Sequence, residues 1–109
     1  MIYFKPDSNE NSTCIKAFDG DNKIGSCKLS VKGYECELSG ITVSLDDNLL
    51  VEGLIRSALN YAANRGAYIA NCSQSGFDSV LKMLGFHFSE GVYSGEIPEL
   101  LKGSCCKNN

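Results

Sequence analysis

The sequence has no tryptophan, two prolines and a single histidine, and no apolar run approaches the roughly 18 residues that a membrane-spanning helix requires. Its opening, MIYFKPDS, lacks the basic region and apolar stretch of a secretory leader. Both absences lead to the expectation of a soluble cytoplasmic protein with no membrane partner. A surplus of basic charge is also missing: ten Lys and Arg stand against thirteen Asp and Glu, for a net charge of -3. The basic residues are scattered, whereas nucleic-acid binding draws on a clustered basic face that displaces phosphate counterions. Nucleic acid is therefore not an expected partner. No Cys-x-x-Cys pair occurs, although there are six cysteines (Cys14, Cys27, Cys36, Cys72, Cys105 and Cys106). A strong helix and an ample apolar fraction remove the need for a disulfide framework, so the thiols are read as mostly reduced.

What is present fits one globular domain. Hydrophobic residues make up 43% of the chain and charged residues 21%. A compact domain of this length removes about 65% of its unfolded surface from water, enough for an unaided core. The domain is expected over 1–103, with 104–109 a flexible cysteine-containing tail. IYFKP reads as a short strand ended by Pro6, and TCIKAFD, KIGSCKLSV and YECELSGITV as an antiparallel meander with turns at Gly, Asp and Asn. A Lys32-Gly33 loop between the last two would set Cys36 opposite Leu29. From Asn48 or Leu49 to Arg65, the residues Val51, Leu54, Ile55, Ala58, Leu59 and Ala62 recur at helical spacing, with Asp47 or Asn48 as N-cap and Gly66 as C-cap. AYIANC reads as a buried strand. Phe77, Val80, Leu81 and Leu84 mark a second helix closed by Gly85, FHFSEGVYSGEI a closing hairpin, and PELLKG a final helical turn begun at Pro98. A strand-helix-strand crossover joined to a meander predicts an α/β (α+β) domain, with a mixed, mostly antiparallel sheet and helices packed against it.

Three segments, in this order, resemble the GNAT superfamily of acetyl-CoA dependent N-acyltransferases. They are CELSGITV as its fourth strand, GLIRSALNYAANRG as the cofactor helix that usually reads Gly-x-Ala-Leu-Leu and ends in glycine, and VLKMLGF as the counterpart of LYEKLGF. The resemblance covers residues 23 to 95 and implies a truncated version of that fold. It implies transfer of an acetyl or other acyl group from CoA to a small amine. The backbone of Ile41, Thr42 and Val43 would pair with the pantetheine arm, and the amides of Val51, Glu52 and Gly53 would receive the pyrophosphate at the helix N-terminus. Glu37 stands where several family members keep a strand-borne general base. Leu81 occupies the position of the tyrosine that often protonates the leaving thiolate, so Tyr93, on the last hairpin, becomes the candidate donor. Cys72, at the end of the strand after the main helix, is a candidate acyl acceptor or redox partner.

The loop before the helix departs from the family pattern. Leu49 and Val51 stand where small residues would leave amides bare, and Asp46 takes the usual Arg or Gln position. Asp46, Asp47 and Glu52 bring carboxylates to the amides that a pyrophosphate would use. Acetyl-CoA is therefore expected to bind weakly or not at all. The alternative function is a non-catalytic module, acting as a weak acyl-CoA sensor or a protein-interaction domain. PDSNENS also replaces the helices that usually lie between the first strand and the meander. Their loss is expected to uncover an apolar patch, and with it a homodimer or a protein partner. A third reading treats Cys72, Cys105 and Cys106, with His87, as a redox or metal module. The spacing matches no compact zinc motif, and no metal site is assigned.

Overall fold

The computed structural model describes residues 2–8, 13–44, 47–74 and 76–106, with side chains described as far as 101. Alternating apolar and polar residues build the meander. β1 (Ile2–Ser8), β2 (Thr13–Asp19), β3 (Asn22–Lys32) and β4 (Glu35–Val43) pair antiparallel in succession. α1 (Asn48–Ala63) crosses to β5 (Ile69–Cys72), which lies parallel to β4. α2 (Asp78–Leu84) leads to β6 (His87–Ser89) and β7 (Val92–Glu96), and α3 (Ile97–Cys106) follows. β7 lies between β5 and β6, so the sheet runs β1-β2-β3-β4-β5-β7-β6. This is the mixed, mostly antiparallel sheet with one crossover that the sequence predicts.

α1 buries Leu50, Val51, Leu54, Ile55, Ala58, Leu59 and Ala62, the face that the helical spacing predicts. That face meets Ile15, Ala17, Cys27, Leu29, Cys36 and Leu38, all almost wholly buried, and α2 and α3 pack beside it. Each fully buried Leu or Ile contributes roughly 1.5 to 3 kcal/mol of transfer free energy. The helix ends in paired reverse hydrogen bonds, Ala67 N–H to Ala62 C=O and Gly66 N–H to Ala63 C=O, both 3.0 Å. These close the orphan carbonyls around Gly66. α2 ends the same way, with Phe86 N–H to Leu81 C=O and Gly85 N–H to Lys82 C=O. Among the described residues, no helix is long and apolar enough to cross a membrane.

Three local expectations are corrected. β1 does not stop at Pro6 but runs on to Ser8, because β1 is the edge of the sheet and an edge strand can lack a backbone donor. The β3–β4 loop is Gly33-Tyr34, with Lys32 opposite Glu35, Val31 opposite Cys36 and Leu29 opposite Leu38. Gly33 has φ +60°, and a tight hairpin turn of this kind takes glycine first, not second, so the register moves past the Lys32-Gly33 reading. α3 is ten residues rather than one closing turn.

The missing helices do not leave an apolar surface. All three helices pack on one face of the sheet. On the other face the strands present Lys16, Lys28, Ser30, Lys32, Glu35, Glu37 and Asn71. Exposed large apolar residues such as Tyr34, Leu49 and Phe88 are scattered. The expected patch is not formed on that face among the described residues. Alternation puts mainly serine and charge on that face, with Phe18 stacked on Tyr3 toward its β1 edge, so the uncovered sheet is largely solvated.

Candidate functional site

The site is built where β4 parts from β5. Their pairing runs from Glu35 opposite Ile69 to Leu38 opposite Cys72, and β4 then continues to Val43. On its β3 side, Gly40 and Ile41 together oppose the single residue Cys27, between the pairs Lys28–Ser39 and Ser26–Thr42. This is a β-bulge, with Gly40 at φ +57°, a conformation costly for any other residue. β5 ends at Cys72 while β4 runs on through the bulge, which leaves a notch beside Ile41 with no strand on that side.

The notch is closed by one side chain. Gln74, two residues past the end of β5, accepts from the Ile41 N–H at 2.7 Å and donates to the Ile41 C=O at 2.9 Å. The Ile41 backbone, expected to hold pantetheine, is therefore fully engaged within the chain. Thr42 and Val43 keep their pairing with Ser26 and Gly25 of β3. The Thr42 hydroxyl donates to the Gly40 C=O at 3.3 Å.

The N-terminus of α1 is likewise satisfied from within. The Asp47 carboxylate accepts from Leu49 N–H at 2.9 Å, and its C=O accepts from Leu50 and Val51 N–H at 3.1 and 3.2 Å. Asp46 lies outside the described residues. Val51, Glu52 and Gly53, whose amides are read from the sequence as pyrophosphate contacts, each have a further structural part. Val51 is buried. Glu52 accepts from Arg56 Nε at 3.0 Å, and Arg56 Nη1 donates to the Leu101 C=O at 2.8 Å, tying α1 to α3. Gly53 faces the ring of Phe4 on β1, so closely that a Cβ there would overlap it.

Glu37 stands on the open face, exposed, one residue before the last β4–β5 pair and four before Ile41. It lines a groove of about 420 Å³ with Ser30, Lys32, Glu35, Asn71 and Val92. Asn71 Nδ2 donates to Glu35 at 3.3 Å, which leaves the neighbouring Glu37 facing the groove.

Tyr93 and Cys72 face the core instead. Tyr93 is opposite Cys72 across the β5–β7 pair and 3% exposed. Its hydroxyl donates to Asp78 at 2.6 Å. That bond pushes the phenol up to about 12 and holds the Asp78 carboxyl below its usual range. A phenol bound to a carboxylate pins the last hairpin to α2 and is a poor proton donor to a thiolate. Cys72 has no exposed surface, and burial pushes its thiol up. Burial likewise raises Cys27 to about 12 and Cys36 to about 11. Thiols held protonated in a core are inert. His87 is exposed on β6. Among the described residues, no three His, Cys, Asp or Glu are placed to hold a metal ion. The side chains of Cys105 and Cys106 lie outside the described residues.

The sequence reading missed Gln74. Its signal is a long primary amide just beyond the end of a parallel strand, where the ladder stops and backbone groups need partners.

No family model matches this sequence, and no curated protein does. Solved structures do match the fold. An N-acetyltransferase from Staphylococcus aureus Mu50 superposes with a TM-score of 0.73 at 12% identity, over 90% of this chain and 99% of that one. A GNAT family acetyltransferase from Elizabethkingia anophelis, with acetyl-CoA bound, gives 0.72 at 12% identity, over 87% and 97%. The ribosomal-protein-S18-alanine N-acetyltransferase from Escherichia coli gives 0.68 at 14% identity, over 83% and 72%. At these identities the likeness establishes architecture, and the architecture of this chain is the GNAT acetyltransferase fold.

Proposed function

We propose that this domain binds acyl-CoA weakly, by its pantetheine arm, and transfers the acyl group to a small amine. The observation that carries the reading is the placement of Glu37 and the Ile41 N–H on either side of the Gly40 bulge, at the point where β4 leaves β5. One offers a base and the other an amide donor, four residues apart on one strand. The residues fit the ligand in part. The Ile41 N–H and C=O already hold one amide, so they suit the acyl-pantetheine arm, with the thioester oxygen on the N–H and a pantetheine amide N–H on the C=O. The α1 N-terminus does not suit a pyrophosphate, because Asp47 occupies its first amides.

In the proposed step, Glu37 takes a proton from the ammonium form of the acceptor, and the amine nitrogen forms a bond to the thioester carbonyl carbon. The Ile41 N–H stabilises the negative charge that grows on the carbonyl oxygen. The nitrogen gives its second proton to water, the C–S bond breaks, and the CoA thiolate leaves without a dedicated acid, since Tyr93 is committed to Asp78. The free thiols of Cys14, Cys27, Cys36 and Cys72 fit a reducing, cytoplasmic setting. The test is release of CoA thiol in the presence of a panel of amines. Glu37→Gln is expected to lower kcat/KM by about 10² to 10⁴. An unchanged rate would remove Glu37 from the mechanism.

The self-capped helix favours a second reading, a non-catalytic module that senses acyl-CoA or binds another protein. Calorimetry separates the two: acetyl-CoA binding without thiol release from any amine supports the sensor, and no heat up to millimolar ligand supports the protein-binding role.

A further inference from the structure

We propose that Gln74 is an internal occupant of the acyl-CoA notch and that ligand binds by displacing it. The inference rests on the acyl-CoA reading above and adds a gate to it. The geometry is specific. One primary amide takes both the donor and the acceptor of a single residue, Ile41, at 2.7 and 2.9 Å, on the β4 edge beyond the last β4–β5 pair. These are the backbone groups that an incoming amide-containing chain would need. The thioester carbonyl would accept from the same N–H that the Gln74 carbonyl accepts from now.

The physics explains why the occupant is a side chain and not a strand. A buried or half-buried N–H and C=O left without partners is costly, so the empty notch needs a filler. Continuing β5 alongside β4 would supply main-chain partners, but that would seal the edge permanently. Gln74 reaches the notch through three rotatable bonds from a half-buried position just after β5. It withdraws by rotating them, with no change in either strand, and regains rotamer freedom as it leaves. The ligand then replaces two hydrogen bonds with equivalent ones. The apparent affinity is lowered by the fraction of molecules in which Gln74 is withdrawn.

The contact also exposes a difference between the two weak points of the site. The Asp47 cap at α1 uses a residue that also begins the helix, so removing it costs helix stability. Gln74 itself lies outside every helix and strand. It is the element that a ligand can remove most cheaply.

The experiment uses the full chain in three forms: wild type, Gln74→Ala and Gln74→Met, the last keeping the length of the side chain without its hydrogen-bonding groups. Two quantities are read: exchange of the Ile41 amide hydrogen by NMR, and the affinity for acetyl-CoA by calorimetry. Both variants are expected to exchange the Ile41 hydrogen faster than wild type and to bind acetyl-CoA about tenfold more tightly, as expected when a competing closed state is removed. Adding acetyl-CoA to wild type should shift the Gln74 side-chain amide resonances as the contact opens. If wild type binds acetyl-CoA as tightly as both variants, Gln74 is no gate, although acyl-CoA binding stands. If none of the three binds at millimolar ligand, the gate and the acyl-CoA reading fall together. Unchanged Ile41 exchange in both variants would show that Gln74 does not hold the notch at all.

Discussion

β4 contains two regions held in different ways. From Glu35 to Leu38 it has a strand on each side, β3 and β5, and its backbone groups are fixed in two ladders. From Ile41 to Val43 it keeps β3, but the β5 side is met by a single side chain. The Gly40 bulge divides them. The difference teaches where a sheet can accommodate a ligand. Main-chain partners belong to two strands that must move together, whereas a side-chain partner can be exchanged alone. Only the second region can trade its partner without unfolding its neighbours.

The comparison can be broken most forcefully from the first region. Leu38, 1% exposed beneath the double ladder, should lose roughly 2 to 5 kcal/mol of stability as Leu38→Ala, read by urea denaturation. A loss no greater than that of Ser39→Ala, on the exposed face, would mean that the doubly paired region is not the rigid one. The divide itself comes next. Gly40 sits at φ +57° with the Lys28 side chain 3.2 Å from where a Cβ would lie. Gly40→Ala should therefore cost about 1 to 2 kcal/mol. It should also disturb the amide resonances of Ile41 and Gln74 more than those of Leu38 and Cys72. Equal disturbance on both sides would show that the bulge does not separate the regions.

The smallest effect concerns pH and the support behind β5. Tyr93 lies opposite Cys72, and its bond to Asp78 fixes the β7 side of the closed region. The phenol is raised from near 10 to about 12. Its contribution to stability is therefore complete below the unfolded value and is lost as pH rises through that window. Asp78 is lowered, so its contribution holds above the ordinary carboxylate range and disappears as pH falls through the folded value. An ultraviolet titration of the tyrosines should show one late step near 12 that is missing in Tyr93→Phe. A wild-type curve in which all five tyrosines titrate together would refute the bond.

Periodicity made the fold readable. The stripe from Val51 to Ala62, the closing glycines Gly66 and Gly85, and the order of strands follow from local rules of spacing and capping. The details that spacing does not reveal depend on partners distant in sequence. Pro6 is tolerated because β1 has a neighbour on one side only, which no local pattern reveals. Glu52 looked like a competitor for phosphate at the helix start. Its actual partner, Arg56, lies one turn on and is itself drawn toward α3, 45 residues away. Gly53, read as a phosphate-contacting amide, is also the recess for Phe4. Gln74 meets Ile41 across 33 residues, after a bulge that alternation alone does not announce.

The two rims of the sheet carry a last consequence. β1 forms one rim and β6 the other. β6 is three residues long, and β1 bears Lys5, Pro6 and Asp7 at its centre. A proline offers no amide to a strand arriving from outside, charged neighbours resist a dry contact, and three residues give too short a template for stacking. The molecule is thus guarded against growing into fibrils from either side. Concentrated samples should stay monodisperse, and Pro6→Val should be the change that first makes them bind thioflavin.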